Sequence, residues 1–355
     1  MTLKDIAEIA GTSLSTVSRS LNNSPLISEE TRARIQAIAS AHGFQPNASA
    51  RSLATSRTGT IGLILPENYD RFDGLLYNAA LHNDLRRSLE RAELDTIVAF
   101  KQNRVSRQDN IEKLVTRKKV DGLILVQPDI DRKSVRFLEE RTIPYVLIQY
   151  PPDEPNPPYD VFYSDSWTGG RIVAQHLLDI GCHRPLCITG GQERQSRQRV
   201  DGFRDAYKAS GLPEDTVTVL HGDYSAASAA ALIHENLENI GNYDALFAVN
   251  DLMAFGAMEV LRASGIRIPE DIAVVGFDDT ALATALIPSL TSVHQPEEEI
   301  AFLACERLLE LIDERTEFGR RISEARTTSL QPRLVIRESS GSRRKPAASD
   351  GTGAS

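Results

Sequence analysis

The ten residues Ala10-Gly11-Thr12-Ser13-Leu14-Ser15-Thr16-Val17-Ser18-Arg19 set the tightest limit on what this chain can become. Gly11 is free to take a left-handed backbone, and Ser13, two residues on, is a natural helix cap, so one helix ends and another begins within a sharp turn. The first helix is capped by Thr2 with Asp5 three residues later, and Leu3, Ile6, Ala7, Ile9 and Ala10 supply its apolar face. In the second, Val17 and Leu21 stand four apart and hold the helix inward, which leaves Leu14, Ser15, Ser18 and Arg19 pointing elsewhere. A third helix starts at Ser28, with Glu29 and Glu30 at its positive end, apolar Ile35, Ile38 and Ala39, and Gly43 as its stop. The expectation is an all-α helix-turn-helix head.

A helix of this size fits the major groove of DNA, where arginine pairs with guanine through two hydrogen bonds and hydroxyls reach bases or phosphates. The alternative is a three-helix domain whose polar face meets only water. The segment that follows the head separates the two, and the charge distribution agrees with DNA binding. The net charge is −9, yet residues 1–58 hold six basic residues against four acidic ones, so this end is +2 and the remainder −11. An acidic body discourages DNA from binding anywhere but the head, and doubling the head in a dimer strengthens a salt-dependent contact. Pro46 to Ala54 is too short to be a stable free helix, but a DNA surface can order it.

The chain resembles the LacI/GalR family of transcriptional regulators from about Leu3 to Arg337. The resemblance rests on Leu3-Lys4-Asp5-Ile6-Ala7, Ser15-Thr16-Val17-Ser18-Arg19, Pro46-Asn47 with Ala50-Arg51-Ser52-Leu53, and Val274-Val275-Gly276-Phe277-Asp278-Asp279. It implies a pseudo-palindromic operator in double-stranded DNA. Leu14, Ser15 and Arg19 would read bases, Ser13 and Thr16 would meet phosphates, and Ser18 and Asn47 complete the set. In the hinge, Ala50 would lie against the minor groove and Leu53 would be the wedge at the central base step.

Beyond the linker the period changes. Strand-like runs at Thr60 to Leu65, Thr96 to Phe100, Gly122 to Val126 and Tyr145 to Ile148 alternate with helical stretches, the pattern of a doubly wound parallel sheet. Five prolines between Pro151 and Pro158 interrupt it as a surface loop, and the alternation resumes to strand Ile272 to Val275. Two lobes of similar size enclose a cleft, and the resemblance implies a two-lobed, periplasmic-binding-protein-like α/β effector domain with parallel sheets. Leu290 to His294, a helix from Glu298 and a strand near Leu334 to Ile336 are expected to return to the first lobe. The boundaries are 1–45 for the head, 46–58 for hinge and linker, 59–338 for the effector-binding and dimerisation domain, and 339–355 for a disordered small-residue tail.

Ligands of such sheets collect at the carboxyl ends of the strands. Gln149, Asn250 and Asp278 stand at such ends. The resemblance adds Arg199, which the family uses for effector hydroxyls or carboxylates, and Tyr224 at its aromatic stacking position. Together they offer donors and acceptors around one ring face, the chemistry of a polyhydroxylated ring, so a sugar is the expected effector. Purines or another metabolite are the alternative, disfavoured because Tyr224 is the one well-placed aromatic. Trp167, Tyr69 and Phe72 are further stacking candidates.

An enzyme is not expected. Asp278-Asp279 has no partner nucleophile, neighbouring residues on a strand end point apart, and GxSxG, GxxxxGK[ST] and HExxH are absent. Seven scattered histidines and three widely spaced cysteines give no metal-ligand pattern, so no metal or cofactor is expected and the thiols should be free, as in a reducing cytoplasm. A transport solute-binding protein would share the lobes but carry a secretory leader where this chain has its head. No apolar run spans a bilayer, and no heptads follow the lobes, so a homodimer formed through the lobes is the expected assembly.

Overall fold

The computed structural model describes residues 1–21, 24, 26–44, 57–66, 72–126, 132–152, 154, 156–191 and 193–341, with the side chains of 72–75 and 132 excluded. The hinge residues Asn47, Ala50 and Leu53, as well as Tyr69 and the tail from 342, lie outside the described residues.

The head packs α1 (Leu3–Ala10), α2 (Leu14–Leu21) and α3 (Glu29–Ala41) around Ile6, Ala7, Ala10, Val17, Ile35 and Ala39. Thr2 and Asp5 form the capping box, Gly11 has φ 59°, and the Ser13 hydroxyl accepts from the Thr16 amide at 3.1 Å. Ile9 departs from the expected apolar face and is half exposed, because it sits about 200° around the helix from Ala7.

In the first lobe β1 (Thr60–Leu65), α4 (Phe72–Arg91), β2 (Asp95–Phe100), α5 (Asn110–Thr116), β3 (Gly122–Val126), α6 (Arg132–Glu140), β4 (Tyr145–Ile148) and β5 (Val161–Ser164) follow one another. The second lobe takes over with α7 (Ser166–Asp179), β6 (Pro185–Thr189), α8 (Arg194–Ala209), β7 (Thr218–His221), α9 (Ala226–Glu235), β8 (Ala245–Ala248), α10 (Asp251–Ala263), β9 (Ala273–Asp278), α11 (Ala281–Ala285) and β10 (Thr291–His294). α12 (Glu297–Phe318) and β11 (Thr327–Leu330) return to the first lobe, and β12 (Arg333–Val335) ends in the second. The sheet orders are β11-β5-β4-β3-β1-β2 and β12-β10-β9-β8-β6-β7. Among the described strands every pairing is parallel except β10 with β12. Strands buried on both faces read as continuous apolar runs, which is why β1, β3, β4 and β6 were legible without alternation.

Two expectations are corrected. Of the elements after Leu290, only α12 and the unforeseen strand β11 join the first lobe. Thr291–His294 pairs with β9, and Arg333–Val335 pairs with β10, so both belong to the second. The chain therefore crosses between lobes three times, near residues 165, 295 and 331. The tail also starts later than residue 339. Ser339 is fully buried, exchanges backbone hydrogen bonds with Ser289 and Val274, and its hydroxyl accepts from the Thr291 amide at 2.8 Å. Ser340 Oγ lies 2.8 Å from His176 Nε2 and 2.7 Å from Thr291 Oγ1. Ending the chain after Glu338 leaves those amides without partners, and should cost about 2–3 kcal/mol. A chain ending at Gly341 should melt with the full protein, and the shorter one roughly 5–10 °C lower; equal melting of the two would remove the role of these serines.

Candidate DNA interface and effector site

The head presents a short polar surface on α2. Leu14, Ser15 and Arg19 are exposed, with Leu14 at 51%, whereas Thr16 and Ser18 are half-buried. The Ser13 hydroxyl lies 2.8 Å from both Ser15 Oγ and Thr16 Oγ1, so three hydroxyls cluster at the helix start, where backbone amides favour an anion. Two other basic residues of the head, Arg32 and Arg34, are spent on its own structure. Arg34 donates to the Ala10 carbonyl at 3.2 Å, closing α1, and Arg32 donates to the carbonyls of Ser24 and Ile27.

Between the lobes, Gln149, Arg199 and Asp278 meet through Gln295 in one junction, and Tyr224 and Asn250 pair with each other beside it. Arg199 is placed by a close crossing of α7 and α8: a Cβ on Gly170 would lie 1.9 Å from the Arg199 carbonyl oxygen, and one on Gly202 1.9 Å from that of Trp167. Its guanidinium is buried over the Phe277 ring at 3.7 Å, donates to the Val249 carbonyl at 2.5 Å, and stands 3.5 Å from Asp278 Oδ1. Gln295, in the crossing segment, donates to Asp278 at 2.7 Å and accepts from Gln149 at 3.2 Å. Gln149 also donates to the Tyr77 hydroxyl, and its own carbonyl accepts from Gln195 of the second lobe at 2.8 Å. Asn250 donates to the Tyr224 carbonyl at 3.0 Å, but its side-chain oxygen caps α10 through the Met253 amide at 2.8 Å, so its acceptor already has a structural role.

Backbone strain gathers at the same place. Among the described non-glycine residues eight have positive φ, and Gln149, Tyr224, Asp278 and Asp279 are four of them. Left-handed conformations at strand ends persist where surrounding structure enforces them, commonly at binding sites. A cavity of about 800 Å³ opens beside the junction. Of the five candidates only Asp278 lines it, with Tyr77, Asp279 and Glu297 among its other walls. Trp167 is engaged elsewhere: its indole donates to Asp205 at 2.9 Å and Arg171 covers its ring.

Comparison with known proteins decides the kind of molecule this is. Residues 2–47 match the family described as "Bacterial regulatory proteins, lacI family", and residues 174–340 match "Periplasmic binding protein-like domain". The HTH-type transcriptional repressor PurR of Aliivibrio fischeri (strain MJ11) is 30% identical across 95% of this chain and 98% of its own. The HTH-type transcriptional regulator CelR of Thermobifida fusca is 33% identical across 95% and 98%. The chain belongs to the lacI family. A solved structure described as the transcriptional regulator CelR–cellobiose complex is similar at a TM-score of 0.68, with 31% identity over 96% of this chain and 99% of that one. As a lacI-family regulator, the protein couples a DNA-binding helix-turn-helix head to a two-lobed body, and among its described residues no helix is long and apolar enough to cross a membrane.

Electrostatics distinguishes the carboxylates of this lacI-family body. Burial pushes Asp278 up to about 6 despite Arg199 and Gln295, and pushes Asp251 up to about 7, with Asp278 adding to the rise. Asp279 is treated oppositely: burial raises it, but hydrogen bonds with His294 and Arg337 outweigh that and hold it low. The two neighbouring aspartates thus face apart, one into the inter-lobe junction and the other onto the second lobe. Tyr77, Gln295 and Glu297 were missed in the sequence because each reads there as an ordinary helix or strand-end residue. Only the chain crossing near residue 295 brings them together.

Proposed function

We propose that the chain is a cytoplasmic, homodimeric repressor of carbohydrate-utilisation genes whose operator affinity is set by a sugar held between the lobes. The observation that carries the reading is Arg199, buried at the inter-lobe junction beside Asp278 with its Nε lacking a hydrogen-bond partner among the described residues. A buried unsatisfied donor is costly, and a hydroxyl-bearing ligand satisfies it. The similarity to a regulator solved with cellobiose favours a sugar over a purine.

In this reading residues 1–45 bind DNA, 46–58 are the hinge and linker, and the lobes dimerise. Leu14, Ser15 and Arg19 read bases, Ser13 and Thr16 face phosphates, Ser18 adds to the DNA-facing surface, and Asn47, Ala50 and Leu53 act in the hinge. α12 offers a physical link between ligand and hinge. Its start adjoins Gln295, and 22 residues make it roughly 33 Å long. Near its far end Asp313 and Thr316 accept hydrogen bonds from Arg57, at 2.6 Å and 2.9 Å. A ligand that changes the lobe angle therefore moves the anchor of the hinge, and population shifts between two such arrangements alter operator affinity.

The test is selection of a bound duplex from a random-sequence pool, then titration of that duplex with and without candidate sugars. Arg19→Ala should weaken binding about tenfold or more and relax preference at one base position. A variant that keeps both affinity and preference would remove Arg19 from base reading, and a duplex affinity that no sugar changes would sink the effector assignment.

A further inference from the structure

Glu297 is a wall of the inter-lobe cavity that this reading leaves unused. It is the first residue of α12, is 7% exposed, and shares the cavity with Tyr77 and Asp278. Its neighbours Glu298 and Glu299 are exposed at the same helix start, where the positive end of the helix accounts for them. Glu297 is different because it is buried. Among the described residues its carboxyl takes a hydrogen bond only from its own backbone amide, while Asp278, Asp84 and Asp279 act on it with the same sign of charge. A buried carboxyl with no donor but its own amide is costly to ionise, so its place in a cavity wall is best explained by a ligand that brings further donors.

The walls also restrict that ligand's charge. They carry six carboxyl groups against three arginines, and one of those arginines, Arg87, is already paired with Asp84; burial lets Glu297 keep its proton near neutral pH until a ligand's donors ionise it, so the repulsion comes first from the other five. A phosphate or carboxylate placed here meets repulsion, whereas hydroxyls do not. The volume of about 800 Å³ lies in the range of pockets for drug-sized ligands, more than a single sugar ring fills.

Resting on the sugar reading, we propose that Glu297 is an effector-binding carboxylate that accepts hydrogen bonds from adjacent hydroxyls of a neutral saccharide, and that it turns away sugar phosphates and sugar acids. Asp278, with Arg199 behind it, meets one end of the saccharide and Glu297 the other. Glu297 thereby sets specificity within the site, not merely affinity.

The experiment is calorimetric titration of the full chain with cellobiose, maltose, glucose and ribose, and with glucose 6-phosphate and glucuronate. Glu297→Gln, Glu297→Ala and Arg199→Ala are titrated in parallel, and melting curves check that each variant folds. At least one neutral sugar should bind, with glucose 6-phosphate and glucuronate much weaker. Glu297→Ala should lose about 10- to 100-fold in affinity for the neutral sugar, and Glu297→Gln should narrow the discrimination against the two anions. If Arg199→Ala weakens a neutral sugar but both Glu297 variants bind it within twofold of the parent and keep its selectivity, the role of Glu297 is overturned and the sugar reading stands. Binding of the anions in preference to every neutral sugar overturns the role of Glu297 as well. Silence from all six compounds overturns the sugar reading and this inference with it.

Discussion

Arg307→Met should cost this protein about 3–5 kcal/mol, because it removes the fully buried partner of Asp160 together with the guanidinium's own hydrogen bonds, leaving Asp160 to Arg321 and one backbone amide. Arg307 on α12 and Asp160 at the start of β5 are 1% and 0% exposed. Arg307 Nε donates to Asp160 Oδ1 at 2.8 Å, and its remaining nitrogens reach Glu310, Ser323 and the Glu324 carbonyl. Asp160 in turn accepts from the Arg326 amide at 3.0 Å and pairs with Arg321 at 2.8 Å. The cluster therefore fixes the segment between α12 and β11, which is what lets the chain add β11 beside β5 before crossing back. Loss of the guanidinium should lower the melting temperature by roughly 6–15 °C. Because Arg321 remains, Arg307→Met should be milder than Asp160→Leu alone, and the double variant Arg307→Met/Asp160→Leu should recover part of the deficit. Melting of Arg307→Met within a degree or two of the parent would show that the cluster only accompanies the third crossing and does not hold it.

That cluster marks the limit of what could be read from the sequence. The alternation of β and α elements was legible because parallel strands buried on both faces leave continuous apolar runs such as Gly122 to Val126. Membership of a sheet was not, since Thr291-Ser292-Val293-His294 carries the same apolar pattern whichever lobe receives it. Asp160 and Arg307 lie 147 positions apart and nothing local announces their pairing. The start of α8 at Arg194 is hidden in the sequence by the polar run Arg194-Gln195-Ser196-Arg197. Polar Ser339-Ser340 looked like tail because its burial depends on β9, β10 and α7 arriving around it.

The candidate site between the lobes shows the same division. Gln149, Arg199 and Asp278 are joined through Gln295, and Tyr224 and Asn250 pair beside them, as strand-end and helix-start positions in adjacent units allow. Their joining groups, Tyr77 and Gln295, come from the first and last thirds of the chain and are recognisable only once the crossings are known. Asn250 illustrates a limit of a different kind: one side chain serves both the helix cap and the neighbouring loop, and residue type alone cannot apportion them.

Stability should fall as pH rises from about 5.5 to 8.5, by about 3–5 kcal/mol, and a sugar in the cleft should reduce the fall. Burial pushes Asp278, Asp251 and Glu297 up to about 6, 7 and 8, respectively. In the unfolded chain these carboxyls release their protons near pH 4. Between that pH and their folded values the unfolded state holds fewer protons, so the stabilisation is complete below about pH 4 and is lost as the pH climbs through 6 to 8. The three are not independent, because Asp278 contributes to the rise at both others, and their separate effects do not sum. Acid opposes this gain. Asp279, Glu310 and Glu314 are held low by hydrogen bonds that outweigh burial, and burial depresses His176, so stability from these groups is lost as pH falls. Maximum stability is therefore expected in mildly acidic solution, measurable as the urea midpoint across a pH series. Glu297→Gln should flatten the alkaline side, since it removes the group with the highest of the three values. Saccharide hydroxyls that donate to Glu297 and Asp278 favour their ionised forms, so adding a bound neutral sugar should flatten the parent's alkaline side further than that of Glu297→Gln. A urea midpoint that is constant or rising from pH 5.5 to 8.5 would show that these carboxyls do not govern the folding of the body.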